Sequence, residues 1–328
     1  MIIARSVVAA LAALIVGAGC FGPAASPALS QSYPSRVIKL VVPFTPGSPN
    51  DVMARLLTQH LQPRLGQAFV VENKPGGGTT IGTKAVAMAE PDGHTLLFVS
   101  SALVIDPALH KKLDYDPRKD FVPIASVTTT SWLLAIHPSL PARTVAEFVA
   151  YTKARPGTVS FGFAQGTASQ FVGERFKVLS GADFLSVPYR GGAAALPDFL
   201  GGRLQMLLPT PSTTLPLIRE GKLRALAITS AERSPDLPDV PTMNELNMPS
   251  LTLDFWAGVL APAGTPPETV AKLNAAINDA LRSPEMKDSM KRLGFEAKIG
   301  TPQDFSTFIA DELPRWAEIV RSSGVKID

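Results

Sequence analysis

The chain has 328 residues, of which 45% are apolar and 18% charged, and its formal net charge at pH 7 is +3. This composition excludes a disordered or fibrous chain, and the length is enough for about two globular domains. Charges of both signs are scattered and form no basic patch, so the sequence does not favour a nucleic-acid-binding protein.

The first thirty residues have the pattern of a secretory signal peptide. Arg5 is their only charged residue, residues 7–16 form an apolar core, and small residues follow. We expect cleavage after Ser30, with lipoprotein processing at Cys20 as the alternative. Because Cys20 is the only cysteine, the exported part is expected to contain no disulfide and no cysteine-based metal site. No later apolar run reaches the roughly 18 residues that a membrane-spanning helix needs.

A buried strand followed by a capped helix opens the exported part of the chain. Residues 37–42 form a nearly continuous apolar run, which is typical of a strand covered on both faces. Residues 52–65 carry apolar side chains at helical spacing, Ser48 or Asn50 can cap this helix, and Pro49 suits its first turn. A helix N-terminus at the carboxyl end of a parallel strand favours anion binding. The pattern therefore predicts an anion site there.

Strands and helices alternate through the next part of the chain, at the spacing of a parallel sheet. The predicted elements are a strand at 69–72, a helix at 79–89 and a strand at 95–99, which ends in Ser100, Ser101 and Ala102. Gly76-Gly77-Gly78 precedes the helix, but it lacks the spacing of a dinucleotide motif and follows the second strand, not the first. We therefore expect no nucleotide site.

Two extended apolar stretches are interpreted as crossings between two domains. The first spans 121–138 and the second 253–260. They predict a discontinuous first domain, 33–129 plus 256–328, and a second domain, 130–255. Trp132, Trp256 and Trp316 are expected to pack in the core or at the crossings.

Between the crossings the strand–loop–helix pattern restarts. A strand at 159–162, a loop at 163–167 and a helix at 168–179 repeat the architecture of the opening unit, though not its sequence. Further predicted elements are helices at 144–154 and 193–200, strands at 185–188, 204–208 and 225–229, a loop at 209–214 and a short helix ending at Gly221. After the second crossing we predict helices up to Arg282, after Pro284, and from Pro302 with Thr301 as its cap.

Several segments, in order from Tyr33 to Asp328, resemble one known family. They are Val42-Pro43-Phe44-Thr45-Pro46-Gly47, Val71-Glu72-Asn73-Lys74-Pro75-Gly76, Pro91-Asp92-Gly93, Tyr115-Asp116-Pro117-Arg118-Lys119-Asp120-Phe121, Val187-Pro188-Tyr189-Arg190-Gly191, Gly221-Lys222-Leu223-Arg224-Ala225-Leu226-Ala227, Leu237-Pro238-Asp239-Val240-Pro241-Thr242 and Leu260-Ala261-Pro262-Ala263-Gly264-Thr265-Pro266. On these segments the chain resembles the tripartite tricarboxylate transporter receptors, or Bug family, of extracytoplasmic solute-binding proteins.

The resemblance implies an α/β fold of the periplasmic binding protein type II-like class. Two domains, each a mainly parallel sheet flanked by helices, would be hinged by the two crossings, with the ligand in the cleft between them. The implied function is capture of a small organic acid in the periplasm for the membrane permease subunits of a tripartite transporter. The implied ligands are di- and tricarboxylates, acidic amino acids and aromatic acids. A monomer without a cofactor is expected.

The resemblance also implies a carboxylate site built from two strand-to-helix loops, one in each domain. The residues expected to bind the ligand are Phe44, Gly47, Ser48, Asn50, Asp51, Ser100, Ser101, Ala102, Phe163, Gln165, Gly166, Thr167, Ser169, Gln170, Arg190, Gly191 and Thr210. Each has an ordinary alternative: helix capping for the Ser, Thr and Asn residues, and a solvated surface position for Arg190. For Asp51 a structural role is favoured, because a negative charge beside a bound anion lowers the affinity.

The chain departs from the family pattern at three places. Gly47-Ser48 stands where Gly-Gly is common, and Pro49 then offers no amide hydrogen. Leu208-Pro209-Thr210 replaces a common Asp-Asn, which removes a carboxylate and disfavours an amino-acid ligand. Gln170 stands where His is common. A less polar or wholly anionic ligand is therefore expected.

Two other functions remain open. The same receptor could signal to a membrane sensor kinase, or the chain could be a secreted α/β enzyme acting on a small acid. The sequence has no nucleophile elbow, and His60, His94, His110 and His137 lack metal-ligand spacing, so an enzyme is disfavoured.

Overall fold

The computed structural model describes residues 33–325, apart from the side chains of Ser212 and Thr213. The predicted signal peptide, 1–30, and Cys20 lie outside the described residues. Residues from Pro34 onward form one compact unit, which contains both sheets. Within the described range, no helix combines the length and the apolar character needed to cross a membrane.

The described residues form eleven strands and ten α-helices. The strands are β1 Ile38–Val42, β2 Phe69–Asn73, β3 Thr95–Ser100, β4 Phe121–Ser131, β5 Leu133–Ile136, β6 Ser160–Ala164, β7 Leu185–Tyr189, β8 Met206–Leu207, β9 Arg224–Ile228, β10 Asp254–Pro262 and β11 Glu296–Ala297. The helices are α1 Pro49–Leu65, α2 Thr80–Ala87, α3 Ala102–Leu109, α4 Val145–Ala154, α5 Ala168–Ser180, α6 Gly192–Leu200, α7 Pro211–Arg219, α8 Pro267–Arg282, α9 Pro284–Arg292 and α10 Pro302–Ser322. A 3-10 turn, Gly77–Thr79, precedes α2.

The strands form two mixed sheets. The first has the order β11-β4-β10-β3-β1-β2, and the second has the order β7-β6-β8-β5-β9. The pairs β1–β2, β1–β3, β6–β7 and β6–β8 are parallel, whereas the pairs that involve β4, β5 or β10 are antiparallel. The carboxyl ends of the parallel strands, where the predicted ligand loops begin, therefore lie along one edge of each sheet.

The crossings take the form of long strands, not loops. β4 and β10 pair along their whole length, from Asp254 opposite Ser131 to Pro262 opposite Phe121. Residues 128–131 of the first predicted crossing belong to β4, and the hydroxyls of Thr128 and Thr130 donate to the carbonyls of Glu296 and Gly294, at 2.8 Å each. The predicted domain boundaries remain a prediction.

Trp132 links β4 to the second sheet. Its backbone N–H donates to the hydroxyl of Thr229 at 2.8 Å, and that hydroxyl donates to the carbonyl of Leu253 at 2.6 Å. One threonine side chain therefore ties the outgoing and returning segments together.

Most predicted elements are confirmed, and three differ. The helix α3 was not predicted, because Pro107 lies inside an apolar run without helical periodicity. The short strand β11 was also missed. The predicted loop at 209–214 is wrong in its second half, since α7 begins at Pro211 with a proline in its first turn.

Candidate functional site

A cavity of about 600 Å³ lies between the two sheets, at the carboxyl ends of their parallel strands. Its walls come from the loops after β1, β2, β3, β6 and β7 and from the segment after β8. This is the position at which α/β sheets ordinarily bind ligands.

The segment that runs from the end of β1 into the first turn of α1, residues 44–51, is the first of two similar segments and is called the first loop here. Ser48 caps α1, since its hydroxyl oxygen accepts the backbone N–H of Asp51 at 3.3 Å, and Pro49 occupies the first turn. The N–H of Gly47 donates to the Asp51 carboxylate at 2.9 Å, and the N–H of Ser48 donates to the Thr45 carbonyl at 3.2 Å. Two amides predicted to hold the ligand therefore have partners within the loop.

Ser48 and Asn50 of the first loop each retain a donor for a ligand. The hydroxyl of Ser48 accepts one bond and keeps its hydrogen. The N–H of Asn50 lies in the first turn of α1, where N–H groups have no partner within the helix. Both residues line the cavity and are buried.

Asp51 organises this loop from behind and does not line the cavity. Its carboxylate accepts hydrogen bonds from Arg55 Nε at 3.0 Å and Asn73 Nδ2 at 2.9 Å, besides the Gly47 amide. Burial alone would raise the pKa of Asp51, but the bonds from Arg55, Gly47 and Asn73 together lower it below its ordinary value. Asp51 is therefore a charged brace, which fits the structural role favoured by the sequence.

The segment that runs from the last residues of β6 into the first turn of α5, residues 163–170, is called the second loop. The N–H of Gly166 donates to the Gln170 side chain at 2.9 Å, and the N–H of Thr167 donates to the Ala164 carbonyl at 3.3 Å. The Thr167 hydroxyl donates to the same carbonyl at 2.8 Å and lies 3.0 Å from the Ser169 hydroxyl. These contacts hold the N-terminus of α5 towards the cavity.

The two loops share one geometry at a constant spacing of 119 positions, so that Gly47 corresponds to Gly166 and Asp51 to Gln170. In each, a glycine at positive φ donates its N–H to the side chain four residues later: φ is 78° at Gly47 and 73° at Gly166. The cavity therefore faces two helix N-termini of matched construction, whose partial positive charges favour an anion.

Glycines let the two sides of the cavity approach each other closely. A Cβ built on Gly191 would lie 2.3 Å from the Thr45 hydroxyl oxygen, and one built on Gly166 would lie 3.1 Å from the Cα of Gly78. The first pair joins the first loop to the segment after β7, and the second joins the second loop to the segment after β2. Both approaches require a glycine.

The segment after β2, residues 76–79, is called the glycine loop and was not predicted as part of the site. All four of its residues line the cavity. β1 and β2 are parallel with Val42 opposite Asn73, so the loops that follow them leave the sheet at the same edge. A prediction that β2 pairs in parallel with β1 would have placed the glycine loop at the site.

The remaining wall combines two buried serines with a larger number of apolar side chains. Ser100 and Ser101 are buried at the end of β3, and the Asn50 amide reaches the Ser100 hydroxyl at 3.4 Å. Trp132 lines the cavity with its ring 5.5 Å from Phe255 in an edge-on contact, so it is more than the core or hinge residue that the sequence predicted. Apolar residues complete the wall: Phe163, Ala164, Ala195, Leu196, Leu207, Leu208, Pro209 and Phe255.

Thirteen of the seventeen predicted ligand residues line the cavity: Phe44, Gly47, Ser48, Asn50, Ser100, Ser101, Phe163, Gln165, Thr167, Ser169, Arg190, Gly191 and Thr210. The other four, Asp51, Ala102, Gly166 and Gln170, lie behind or beside it. Asp51 and Gln170 hold the loop glycines, and Ala102 begins α3. Whether the lining residues bind a ligand remains a prediction.

The described wall of the cavity carries little charge. Among the described residues that line the cavity, Arg190 is the only charged one, and it is exposed. No group of acidic, histidine or cysteine side chains within 33–325 could hold a metal ion. The site therefore offers helix N-termini, hydroxyls and one guanidinium to an anion, with no carboxylate for an ammonium group.

Comparison with known proteins gives matches over nearly the whole chain. The family model described as the tripartite tricarboxylate transporter family receptor matches residues 53–325. Protein BugT of Bordetella pertussis is 40% identical over 306 residues, which cover 92% of this chain and 94% of BugT.

Solved structures agree with these matches. The structure of the periplasmic binding protein BugD is 35% identical, with a TM-score of 0.85, and the match covers 90% of this chain and 99% of that one. A protein of R. palustris solved with adipate is 32% identical, with a TM-score of 0.85 and coverage of 89% and 98%. The likeness to BugD confirms the predicted periplasmic binding protein fold, but the expectation of mainly parallel sheets is wrong, since both sheets are mixed.

Proposed function

Because the chain belongs to the tripartite tricarboxylate transporter receptor family, we propose that it captures a small organic acid in the cavity between its two sheets. The family consists of solute-binding receptors, not of enzymes. The observation that carries the proposal is the pair of matched loops, each presenting a helix N-terminus to the same cavity. One carboxylate between them would accept hydrogen bonds from both helices.

The low charge of the wall supports a carboxylate held mainly by dipoles. A carboxylate near a like charge would be destabilised, and the described lining contains no acidic side chain. The same feature disfavours an amino acid, because its ammonium group would be buried without a carboxylate partner. The proposed ligand class is therefore a simple carboxylic acid.

The apolar part of the wall indicates the body of this acid. Trp132, Phe255 and Leu208 would contact a hydrocarbon chain or ring, and Arg190 at the exposed side could pair with a second carboxylate. Adipate, the acid present in the relative's structure, has this distribution of charge and apolar surface. We infer a mono- or dicarboxylate with an apolar middle.

The proposed location is the periplasm, with delivery of the acid to the permease subunits of a tripartite transporter. The predicted signal peptide and the family's receptor role support this. Deletion of the receptor gene should abolish uptake of the bound acid, and restoration of the chain should recover it. Unchanged uptake, with loss of a transcriptional response to the acid, would indicate sensing in place of transport.

A thermal-shift screen tests the capture of a carboxylate. The panel consists of adipate, hexanoate, succinate, citrate, benzoate and glutamate, each beside its amide. An acid at one hundred times its Kd should stabilise the protein by about 2.7 kcal/mol, and its amide should not. Equal shifts from acid and amide would contradict the proposal, as would the absence of any shift across the panel.

A further inference from the structure

The glycine loop has a backbone conformation that its last residue does not adopt readily. Thr79 has φ 104° and ψ −13°, after three glycines that also have positive φ. Glycine adopts positive φ without steric cost, but a β-branched residue there is strained. Such strain persists only where neighbouring groups impose it.

The group that faces Thr79 is the carboxyl of Asp106 on α3. The Thr79 hydroxyl donates to Asp106 Oδ2 at 3.1 Å, and the Tyr115 hydroxyl donates to the same oxygen. Asp106 is fully buried, and its Oδ1 has no hydrogen-bond partner among the described residues. On the other side, the Thr83 hydroxyl donates to the Thr79 carbonyl at 3.0 Å.

A buried carboxyl group is costly to retain. Burial raises the pKa of Asp106 to about 7, although the hydrogen bonds from Tyr115 and Thr79 act in the opposite direction. An apolar residue of similar size would fill this space without the desolvation cost. The two hydrogen bonds that Oδ2 accepts are therefore the one contribution of Asp106 that an apolar residue of similar size could not make.

Thr79 has a second surface, which faces the ligand. It lines the cavity with the three glycines before it, and Gly78 lies against Gly166 of the second loop. A change in the backbone of Thr79 would move Gly78, because the two are adjacent. The conformation of Thr79 thus determines both the wall of the cavity and a contact across it.

We propose that Asp106 is a positioning residue of the ligand site, which holds Thr79 in its left-handed conformation so that the glycine loop closes one wall of the cavity. Tyr115 fixes the carboxyl, the carboxyl fixes the Thr79 hydroxyl, and the hydroxyl fixes the loop. This inference rests on the proposed function for its effect on affinity, but the hold on the loop is independent of any ligand.

The test is a double-mutant cycle between Asp106 and Thr79. Asp106→Asn should weaken binding of adipate, or of the panel acid that the wild type binds most tightly, by about tenfold, because its amide oxygen is a weaker acceptor than a carboxylate and its NH2 group would stand where Oδ1 now has no partner. Thr79→Val removes the hydrogen bond to Asp106 altogether and should give at least a similar loss. Thr79→Gly serves as the background for the double variant, since glycine adopts this φ unaided.

The double variant of Asp106→Asn with Thr79→Gly tests whether Asp106 acts through the backbone of Thr79. If Asp106 acts through the strained backbone, the double variant should bind within about threefold of Thr79→Gly alone. Two controls match the substitutions. Glu312→Gln changes another buried carboxylate, and Asn247→Gly relieves the other positive-φ residue with a side chain in the described chain. Neither should change the affinity.

Hydrogen exchange of the backbone amides of residues 77–83 measures how firmly Asp106 holds the glycine loop when no ligand is present. Asp106→Asn should accelerate this exchange, and Thr79→Gly should remove the difference. An Asp106→Asn protein with wild-type affinity and exchange, or a double variant that is not rescued, would overturn the inference. If no panel acid binds the wild type, the proposed function fails, and the exchange data alone decide whether Asp106 positions the loop.

Discussion

The first and second loops solve the same local problem with different chemistry. Each places a glycine at positive φ whose N–H is accepted by a side chain four residues later. In the first loop that side chain is Asp51, which is also bound by Arg55 and Asn73. In the second it is Gln170, whose amide is neutral. The glycine of the first loop is therefore held by a charged network, and that of the second loop by a neutral amide.

The hydroxyl groups at the two helix caps differ in a related way. Ser48 accepts an N–H and keeps its hydrogen for another acceptor, whereas Thr167 donates its hydrogen to the Ala164 carbonyl. A carboxylate between the loops would thus receive a hydrogen bond from the Ser48 hydroxyl of the first loop but none from the Thr167 hydroxyl of the second. The first loop is therefore expected to be the more rigid of the two loops and also the one whose hydroxyl contacts the ligand.

The largest expected effect comes from blocking the approach of the first loop to the opposite wall. Gly191→Ala places a Cβ 2.3 Å from the Thr45 hydroxyl oxygen, while the φ of Gly191, 177°, suits any residue. We expect the affinity for adipate to fall by about a hundredfold, which corresponds to roughly 2.7 kcal/mol. Isothermal titration calorimetry measures this directly.

A second change should restore the approach. Thr45→Ala removes the clashing atoms and leaves the Thr45 Cβ 3.4 Å from the new methyl, so the double variant should recover most of the affinity. Gly192→Ala is the matched control, because a Cβ there meets nothing within 4 Å. Equal losses for the two alanine variants would show that the Thr45 contact is unimportant.

The next largest effect is on stability, and it compares the charged side chain of Asp51 with the neutral side chain of Gln170. Asp51→Asn should lower the free energy of unfolding by about 2 kcal/mol, because buried donors lose a charged acceptor, and Gln170→Ala should lower it by less than about 1 kcal/mol. Urea denaturation provides both values. Similar losses would mean that the two loops are equally rigid.

The pH dependence of stability should have opposite signs at the two buried carboxyl groups. The pKa of Asp51 is lowered, so its contribution is present above about pH 4 and is lost as the pH falls through the folded-state pKa. The pKa of Asp106 is raised to about 7, so its contribution is present below about pH 4 and declines as the pH rises to 7.

Each such group changes the free energy of unfolding by about 1.4 kcal/mol per pH unit between its two pKa values. Urea denaturation from pH 3 to pH 8 should therefore show wild type losing stability relative to Asp106→Asn between pH 4 and pH 7. Relative to Asp51→Asn, the wild type should lose stability only at acidic pH. Parallel curves for the wild type and Asp106→Asn would contradict the assignment.

The smallest expected effect tests the hydroxyl contact. Ser48→Ala should weaken adipate binding about fivefold, as for loss of one neutral donor, whereas Thr167→Val should change it by less than about twofold. Both remove a hydroxyl near a helix N-terminus, so each serves as the control for the other. Calorimetric titration at one pH and salt concentration compares them. A larger loss for Thr167→Val would reverse the comparison.

The local parts of this site could be predicted from the sequence, and the contacts across it could not. The cap at Ser48, the proline after it and the matched second loop follow from spacing along the chain. The glycine loop joins the site only because β2 pairs in parallel with β1. Trp132 and the contact of Gly191 with Thr45 depend on how two distant segments meet, which one sequence without its pairing partners does not encode locally.

The contact between Gly78 and Gly166 has a consequence for the time course of binding. If the acid leaves the cavity between the glycine loop and the second loop, these two must first separate, and their contact would then limit its release together with the hydrogen bonds to the acid. Variants that loosen this contact should shorten the residence time of the acid more than they slow its capture, because differences among related complexes reside mostly in the dissociation rate. For a receptor that must also release its cargo, the strength of this glycine contact is a compromise between retention and delivery.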